Sequence, residues 1–283
     1  MTGARVFALT CLALLAFAGN SLLARAALTE TAIDAASFTT IRLVSGAIAL
    51  WGILALRAGS RSGKTQGDWL SPLALFAYAA CFSFAYLGLR AATGALLLFG
   101  AVQVTMIGWG LWTGERFSSR QWLGLLLAGA GLVGLLLPGL SAPPLLSACL
   151  MLAAGVAWGV YSIRGRGARD PLAVTAGNFM RAGLPALILS ALLLPSSSVD
   201  AAGVAYAIAS GALTSGVGYS IWYTALRGLT ATVAATVQLS VPPVAAGLGA
   251  LLLGEAITLR LAIAAVVILG GIALVIVYPP RAA

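Results

Sequence analysis

The sequence predicts an all-α membrane protein of ten transmembrane helices, arranged as two inverted five-helix repeats with both termini cytoplasmic. Three observations carry that expectation. The 283 residues are 61% hydrophobic and only 8% charged, whereas a soluble domain has roughly 25% charged residues. The apolar residues fall into ten runs, each about long enough to cross a bilayer. A charged, glycine-flanked signature occurs twice, as "GERFSSRQWLG" from Gly114 and "GEAITLRLAIA" from Gly254.

The net charge of +9 does not mark a nucleic-acid binder, because its sixteen basic residues stand singly or in threes between apolar runs and form no continuous face. Cys11, Cys81 and Cys149 lie inside apolar runs with no disulfide or Cys-x-x-Cys pattern, so packing is their expected role.

A helix rising 1.5 Å per residue needs about 20 apolar residues to cross a hydrocarbon core of ~30 Å. Spans are expected at about 4–25, 34–57, 69–88, 92–113, 120–138, 143–163, 171–194, 201–224, 229–253 and 259–278. The first run, behind Arg5 and ahead of "ARAAL", has the outline of a signal peptide, but it has a counterpart in the second half and is read as retained. Breakers support the later cuts. Pro72 lies near the start of span three, Pro138 with Gly139 ends span five, and Pro143 with Pro144 opens span six. Pro171 opens span seven, Pro195 with three serines closes it, and Pro279 with Pro280 follows span ten.

Basic residues then set the orientation. With the N-terminus inside, Arg5, Arg57, Arg61, Lys64, Arg116, Arg120, Arg164, Arg166, Arg169, Arg227 and Arg281 are cytoplasmic, against Arg25, Arg90 and Arg260 outside. Arg42 and Arg181 remain within spans two and seven.

Glu115 and Glu255 are 140 residues apart, as are Arg120 and Arg260. "LRAATGALLLFGAVQV" from Leu89 resembles "LRGLTATVAATVQL" from Leu226, matching Arg90 with Arg227 and, after a small gap, Gln103 with Gln238. Arg42 matches Arg181, and Gly19 matches Gly159. Residues 1–140 and 141–283 are therefore read as two copies of one five-helix unit. An odd number of crossings inserts the second copy upside down, which is the inverted-repeat plan of secondary transporters with a substrate site near the midplane.

The paired Gly-Glu-x-x-Ser/Thr-x-Arg signatures, each after the fourth helix of a unit, resemble EamA-type members of the drug/metabolite transporter superfamily across essentially the whole chain. "AVQVTMIGWGLWTGERFSSRQWLG" is similar to the YddG-type amino-acid exporters within it. The resemblance implies a central cavity between the inverted halves, with helices one, three, four, six, eight and nine nearest to it. One departure is that Pro242 and Pro243 follow Gln238 closely where Val104 and Thr105 follow Gln103, so spans four and nine are expected to bend differently.

The chain has no histidine, and its seven acids, Glu30, Asp34, Asp68, Glu115, Asp170, Asp200 and Glu255, fall at or beyond span ends. This disfavours a mid-membrane carboxylate proton relay and a site for multivalent cations. It also leaves no metal-ligand set and no catalytic acid-base pair. No enzyme activity, cofactor or metal is expected.

Neutral polar groups beside aromatics are the substrate candidates. Asn20 follows Gly19 in span one, where an interhelical hydrogen bond is an equal alternative. Tyr78 and Phe82 stand one turn apart in span three, and the Arg90 to Arg227 match brings Ser215 and Tyr219 to the same positions in span eight. Tyr86 and Tyr223, near span ends, read better as interface anchors. Gln103 and Gln238 need partners at mid-depth, either a substrate or a facing helix. Trp158 and Tyr161 form an aromatic pair that core packing would explain equally well, and Thr214 adds a hydroxyl beside Ser215. Arg42 and Arg181 sit on helices that the resemblance places at the periphery, which favours bonds to carbonyls of a neighbouring helix over anion contacts. "RSGKTQGD" lacks the spacing of a phosphate loop and reads as a linker.

The expected protein is a multi-pass, bacterial-type inner-membrane exporter or facilitator of small organic solutes, amino acids first, working by alternating access. Its partners are a small-molecule substrate and the lipid bilayer, not nucleic acid; the sequence leaves the oligomeric state open, a monomer among the options. A carrier of phosphorylated or nucleotide-linked metabolites is the rival, and a membrane enzyme or a non-transporting receptor the alternative from other classes. The repeated signature itself reads as a helix-to-helix corner. Ser118 with Gln121 and Thr258 cap the following helices, and Glu115 and Glu255 are held by the adjacent Arg120 and Arg260 or by the next helix's N-terminus.

Overall fold

The computed structural model describes residues 3–57, 68–114, 117–137, 142–165, 170–226, 228–229 and 237–277. Among these the chain is helical, with no strand. In chain order the helices are α1 (Gly3–Glu30), α2 (Ala35–Leu56), α3 (Leu70–Tyr86), α4 (Ala91–Trp112), α5 (Ser119–Leu136), α6 (Leu145–Gly165) and α7 (Pro171–Leu192). They are followed by α8 (Ala201–Ile208), a π-helical stretch (Ala209–Val217), α9 (Gly218–Leu226), α10 (Val241–Leu253) and α11 (Leu259–Val277). The α8, π and α9 segments are consecutive and act as one rod. Seven helical stretches among the described residues are long and apolar enough to cross a membrane, and α3, α10 and α11 are apolar over shorter lengths.

The outer surface carries large apolar side chains, including Leu56, Trp112, Leu251 and Val266, which suits hydrocarbon and not water. The interior is built from alanines, glycines and aromatics, because without a hydrophobic drive between helices close backbone approach supplies the packing energy. The principal neighbours are α5 with α11, α2 with α7, α4 with α10, α3 with α6, and α1 with α9. In addition, α4 lies on α6, α1 on α10, α2 on the π stretch and α3 on α7.

Glycines set two of these contacts. At Gly211 a side chain would run into the backbone carbonyl of Arg42 and the hydroxyl of Ser45, so the π stretch can lie directly on α2 only because no side chain is there. On α5 and α11, a Cβ at Gly131 would meet Ile268 at 2.8 Å and Val267 at 3.1 Å, and one at Gly271 would meet Ala128 at 2.7 Å and Leu127 at 3.2 Å.

Acidic residues occupy helix starts, where a carboxylate satisfies free N–H groups and the helix dipole. Asp34 Oδ1 accepts from the N–H of Ala36 and Ser37, each at 2.9 Å, and its Oδ2 accepts from Ser198 N–H at 3.0 Å, tying the start of α2 to the chain after α7. Asp170 and Asp200 cap α7 and α8 in the same way. Asp68 pairs with Arg164.

The repeated signature is a helix corner, as expected, but its charges pair differently. Gly114 at φ +101° and Gly254 at φ +61° end α4 and α10 in the left-handed region that favours glycine. Ser118 N–H donates to Gln121 Oε1 at 2.8 Å, and Leu261 N–H donates to Thr258 Oγ at 3.2 Å, so both expected caps form. Glu255, however, is held neither by Arg260 nor by the start of α11. Its Oε1 accepts from Arg25 Nε at 3.0 Å, and its Oε2 accepts from the N–H of Ala91, the first residue of α4, at 2.8 Å. Arg25 also donates to the carbonyl of Tyr86 at the end of α3, and Arg90 donates to the carbonyl of Ala256. Four helix ends are thereby joined through one carboxylate. Arg260 instead donates to the carbonyls of Gly134 and Leu137 at the end of α5, where free carbonyls attract a cation. Glu115 lies outside the described residues, and Arg120 has partners of its own.

The prolines distinguish spans four and nine, as expected. Whereas α4 runs unbroken past Gln103, the chain after Gln238 turns at 239–240 and α10 begins at Val241, with Pro242 and Pro243 in its first turn, where the missing N–H costs no intrahelical bond. A second correction concerns Tyr86, which is fully buried beneath Phe82 and is not an interface anchor.

Two outcomes follow from these contacts. Gly211→Ala is expected to cost about 1–3 kcal/mol through overpacking, while Gly247→Ala, where nothing lies within 4 Å of a new Cβ, stays neutral; thermal unfolding in detergent compares them. A double-mutant cycle of Arg25→Ala and Glu255→Ala should give a coupling of about 1–3 kcal/mol, and strictly additive losses would show that the pair does not join the helix ends.

Candidate functional site

The aromatic and polar residues of α1, α3, α6 and the α8–π–α9 rod converge at the centre of the bundle. Helical spacing explains the first three contributions. Phe17, Asn20 and Ser21 share one face of α1, Tyr78 and Phe82 one face of α3, and Trp158 and Tyr161 one face of α6. In the rod, the wider π turn brings Ser210, Thr214 and Ser215 to the bundle interior, and α9 continues with Tyr219 and Trp222. π turns inside longer helices occur often at functional sites.

Trp158 is the aromatic hub. Its ring centroid lies 4.9 Å from Tyr78, 5.0 Å from Tyr219 and 5.5 Å from Tyr161. Tyr78 continues to Phe82 at 5.4 Å and Phe82 to Tyr86 at 4.7 Å, while Phe17 and Phe179 close on Tyr219 at 6.0 and 5.9 Å. Of these rings Phe17, Tyr78, Phe82, Trp158 and Tyr219 line, with Asn20, Ser21 and Thr214, a pocket of about 20 Å3, room for roughly one water. That space is too small for an organic solute.

A hydrogen-bond chain supports the pocket. Ser210 Oγ donates to Asn20 Oδ1 at 2.7 Å, Asn20 Nδ2 donates to the Tyr78 hydroxyl at 3.3 Å, and Arg42 Nη2 donates to the same hydroxyl at 2.9 Å. Arg42 Nε donates in turn to Ser215 Oγ at 3.4 Å. Thr214 Oγ lies 3.1 Å from Asn20 Oδ1 and 2.7 Å from the Ser210 carbonyl. The Arg42 guanidinium packs over the rings of Tyr78 and Phe82, 5.1 and 4.8 Å from their centroids.

Of the ten candidates for substrate contact, Asn20, Tyr78, Phe82, Trp158, Thr214 and Tyr219 line this pocket. Ser215 lies behind it against Arg42, and Tyr161 backs Trp158 while accepting from Asn178 at 3.4 Å. Gln103 and Gln238 are buried with partners but do not line it. Sequence reasoning misplaced Arg42. It does not bond carbonyls at the bundle edge but is 1% exposed and bound to Tyr78 and Ser215. Its supposed equivalent Arg181 is half-buried and has its own partners. Phe17 and Ser210 were also missed. Phe17 could have been found from its position one turn before Asn20, and Ser210 from its position four residues before Thr214. Among the described residues no group of His, Cys, Asp or Glu could hold a metal ion.

Tyr78→Phe removes the acceptor shared by Arg42 and Asn20. The expected loss is about 1–3 kcal/mol from unsatisfied buried donors, read as a lower unfolding midpoint with the helical content retained.

Residues 145–277 match the EamA-like transporter family. The uncharacterized protein PA1977 of Pseudomonas aeruginosa is 57% identical over 276 residues, covering 98% of this chain and 96% of its own. A protein of known crystal structure superimposes on 97% of this chain and 98% of its own with a TM-score of 0.67; at 20% identity that likeness bears on the fold alone. The chain thus belongs to one family with the Pseudomonas protein, and the match of residues 145–277 to the EamA-like transporter family points to a multi-pass membrane transporter of small solutes.

Proposed function

We propose that this chain is a secondary exporter or facilitator of small organic solutes, amino acids first, and that it works by alternating access between two inverted five-helix halves, residues 1–140 and 141–283. The observation that carries the reading is the central pocket. It joins an aromatic wall, suited to varied apolar side chains, with neutral hydroxyl and amide groups suited to a polar end. It lies where α1 and α3 meet α6 and the π-containing rod, which is where inverted-repeat carriers hold their cargo.

The two-fold relation draws support from packing. Exchanging each span for the one five positions on turns the α3–α6 contact into the rod–α1 contact, α4–α6 into α10–α1, and α3–α7 into the rod–α2 contact, while α2–α7, α4–α10 and α5–α11 map onto themselves. The glycine contacts obey the same rule. Gly131 and Gly271 are 140 residues apart, as are their reciprocal partners Ala128 and Ile268. The EamA-like match also coincides with the second half. On this reading the three shorter apolar helices cross as well, giving ten spans, and the basic residues place both termini in the cytoplasm of a bacterial-type inner membrane.

The rival, a carrier of phosphorylated or nucleotide-linked metabolites, draws on the burial of Arg42 beside the pocket. A phosphate carries up to two charges at neutral pH, and the groups lining this pocket are neutral. Amino acids remain the better match. Asp34, Asp68, Asp170, Asp200 and Glu255 serve as caps and end ties and Glu30 ends α1, so facilitated movement down a gradient is favoured over proton coupling.

Uptake of radiolabelled amino acids into proteoliposomes, with and without an imposed pH gradient, tests both parts. Saturable uptake without the gradient is expected. Failure to move any amino acid removes the substrate assignment, and strict dependence on the gradient removes the facilitator mechanism.

A further inference from the structure

Arg42 is the largest fully buried side chain among the described residues, at 1% exposure. A guanidinium stays charged and offers five N–H donors. Here Nε and Nη2 have partners, whereas Nη1 is buried without a hydrogen-bond partner. Nor does a carboxylate compensate the charge. The ion pairs among the described residues are Arg25 with Glu255 and Arg164 with Asp68, both at helix ends. The rings of Tyr78 and Phe82 attract the cation, but such contacts recover only part of the penalty for removing a charge from water. The centre of the bundle therefore holds an uncompensated positive charge and an unused donor.

Both rings that cover Arg42 are walls of the pocket, and the Tyr78 hydroxyl links Arg42 to the pocket residue Asn20. The cation is thus one ring away from the enclosed space, in a wall that must part before anything larger than water can enter.

We propose that Arg42 is the anion contact of this site, and that the carboxylate of a small monocarboxylic solute, such as the acid end of an amino acid, takes up its Nη1 once Tyr78 and Phe82 swing aside. The assignment rests on the central pocket being the substrate site. One guanidinium among neutral hydroxyls and amides matches a single negative charge, and the aromatic wall matches an apolar remainder. Bound carboxylate neutralises Arg42, so the occupied site is less costly to keep dry than the empty one.

The test uses the full-length protein in detergent and reads the unfolding midpoint and Trp fluorescence on titration with benzoate and benzamide. These probes differ at the charged group and are not amino acids. The wild-type protein should bind benzoate at least about tenfold more tightly than benzamide, the effect of one charge-assisted hydrogen bond. Arg42→Lys should keep that preference in weakened form. Arg42→Met should abolish it, because the charge that selects the acid is gone. A purely structural Arg42 gives no acid-over-amide preference in the wild type, and an acid preference that survives in Arg42→Met shows that another group selects the carboxylate; either result overturns the proposal. Absence of benzoate binding, or equal binding of acid and amide, overturns it as well, even where Arg42→Met fails to fold. Arg42-dependent benzoate binding without amino-acid uptake in proteoliposomes would keep the anion contact and discard the amino-acid reading; uptake of amino acids without any acid preference would do the reverse.

Discussion

Inside an apolar bundle no bulk water is at hand to satisfy a polar side chain, so each one at mid-depth must be met by another helix. The structure meets this constraint with a closed circuit of hydrogen bonds: Ser210 to Asn20, Asn20 to Tyr78, Tyr78 to Arg42, and Arg42 to Ser215. It begins and ends on the π stretch and passes through α1, α3 and α2. Removing one link strands the next, which makes the circuit a device for fixing the relative rotation of four elements. Phe17, Tyr78 and Phe82 hang on α1 and α3, so the polar circuit fixes their spacing, while Trp158 on α6 joins the wall by ring packing.

The ends of the bundle follow a second logic. Acids are costly inside the hydrocarbon and useful at helix starts, and Asp34, Asp170, Asp200 and Glu255 all serve there. Glu255 does most, since its two oxygens join Arg25 on α1 to the first N–H of α4, while Arg25 reaches the end of α3. The polarity of the described residues is thus divided between neutral groups at the pocket and charges at the rims, with Arg42 and Arg181 inside α2 and α7 as exceptions.

Much of this was legible in the sequence. Apolar run length and proline positions located α2 to α7 and α11 closely, because both act through local chain geometry, but span nine, read from 229, holds α10 only from Val241. The repeated Gly-Glu signature located two corners, and the positive φ of Gly114 and Gly254 supplies the reason for its glycines. Six pocket residues, including Tyr78 and Tyr219, were legible from helical spacing and internal matching. The partner of Glu255 was not, because Arg25 is 230 positions away and an adjacent arginine looks equally suitable on charge alone. Arg42 was misjudged for a related reason: internal matching assigns it the surroundings of Arg181, and the two copies differ there. Ser210, by contrast, was within reach of helical spacing, one turn before Thr214 and bound to the same Asn20 oxygen.

The π stretch has a consequence of its own. A residue advances an α-helix by about 100°, so every side chain beyond Val217 owes its direction to the number of residues between Ala209 and Val217 as much as to their identity. Tyr219 and Trp222 face the interior because that count is what it is. Among relatives, a gain or loss of a single residue in this stretch would turn a different face of α9 inward, and the lining of the pocket could change without one substitution in the residues that form it.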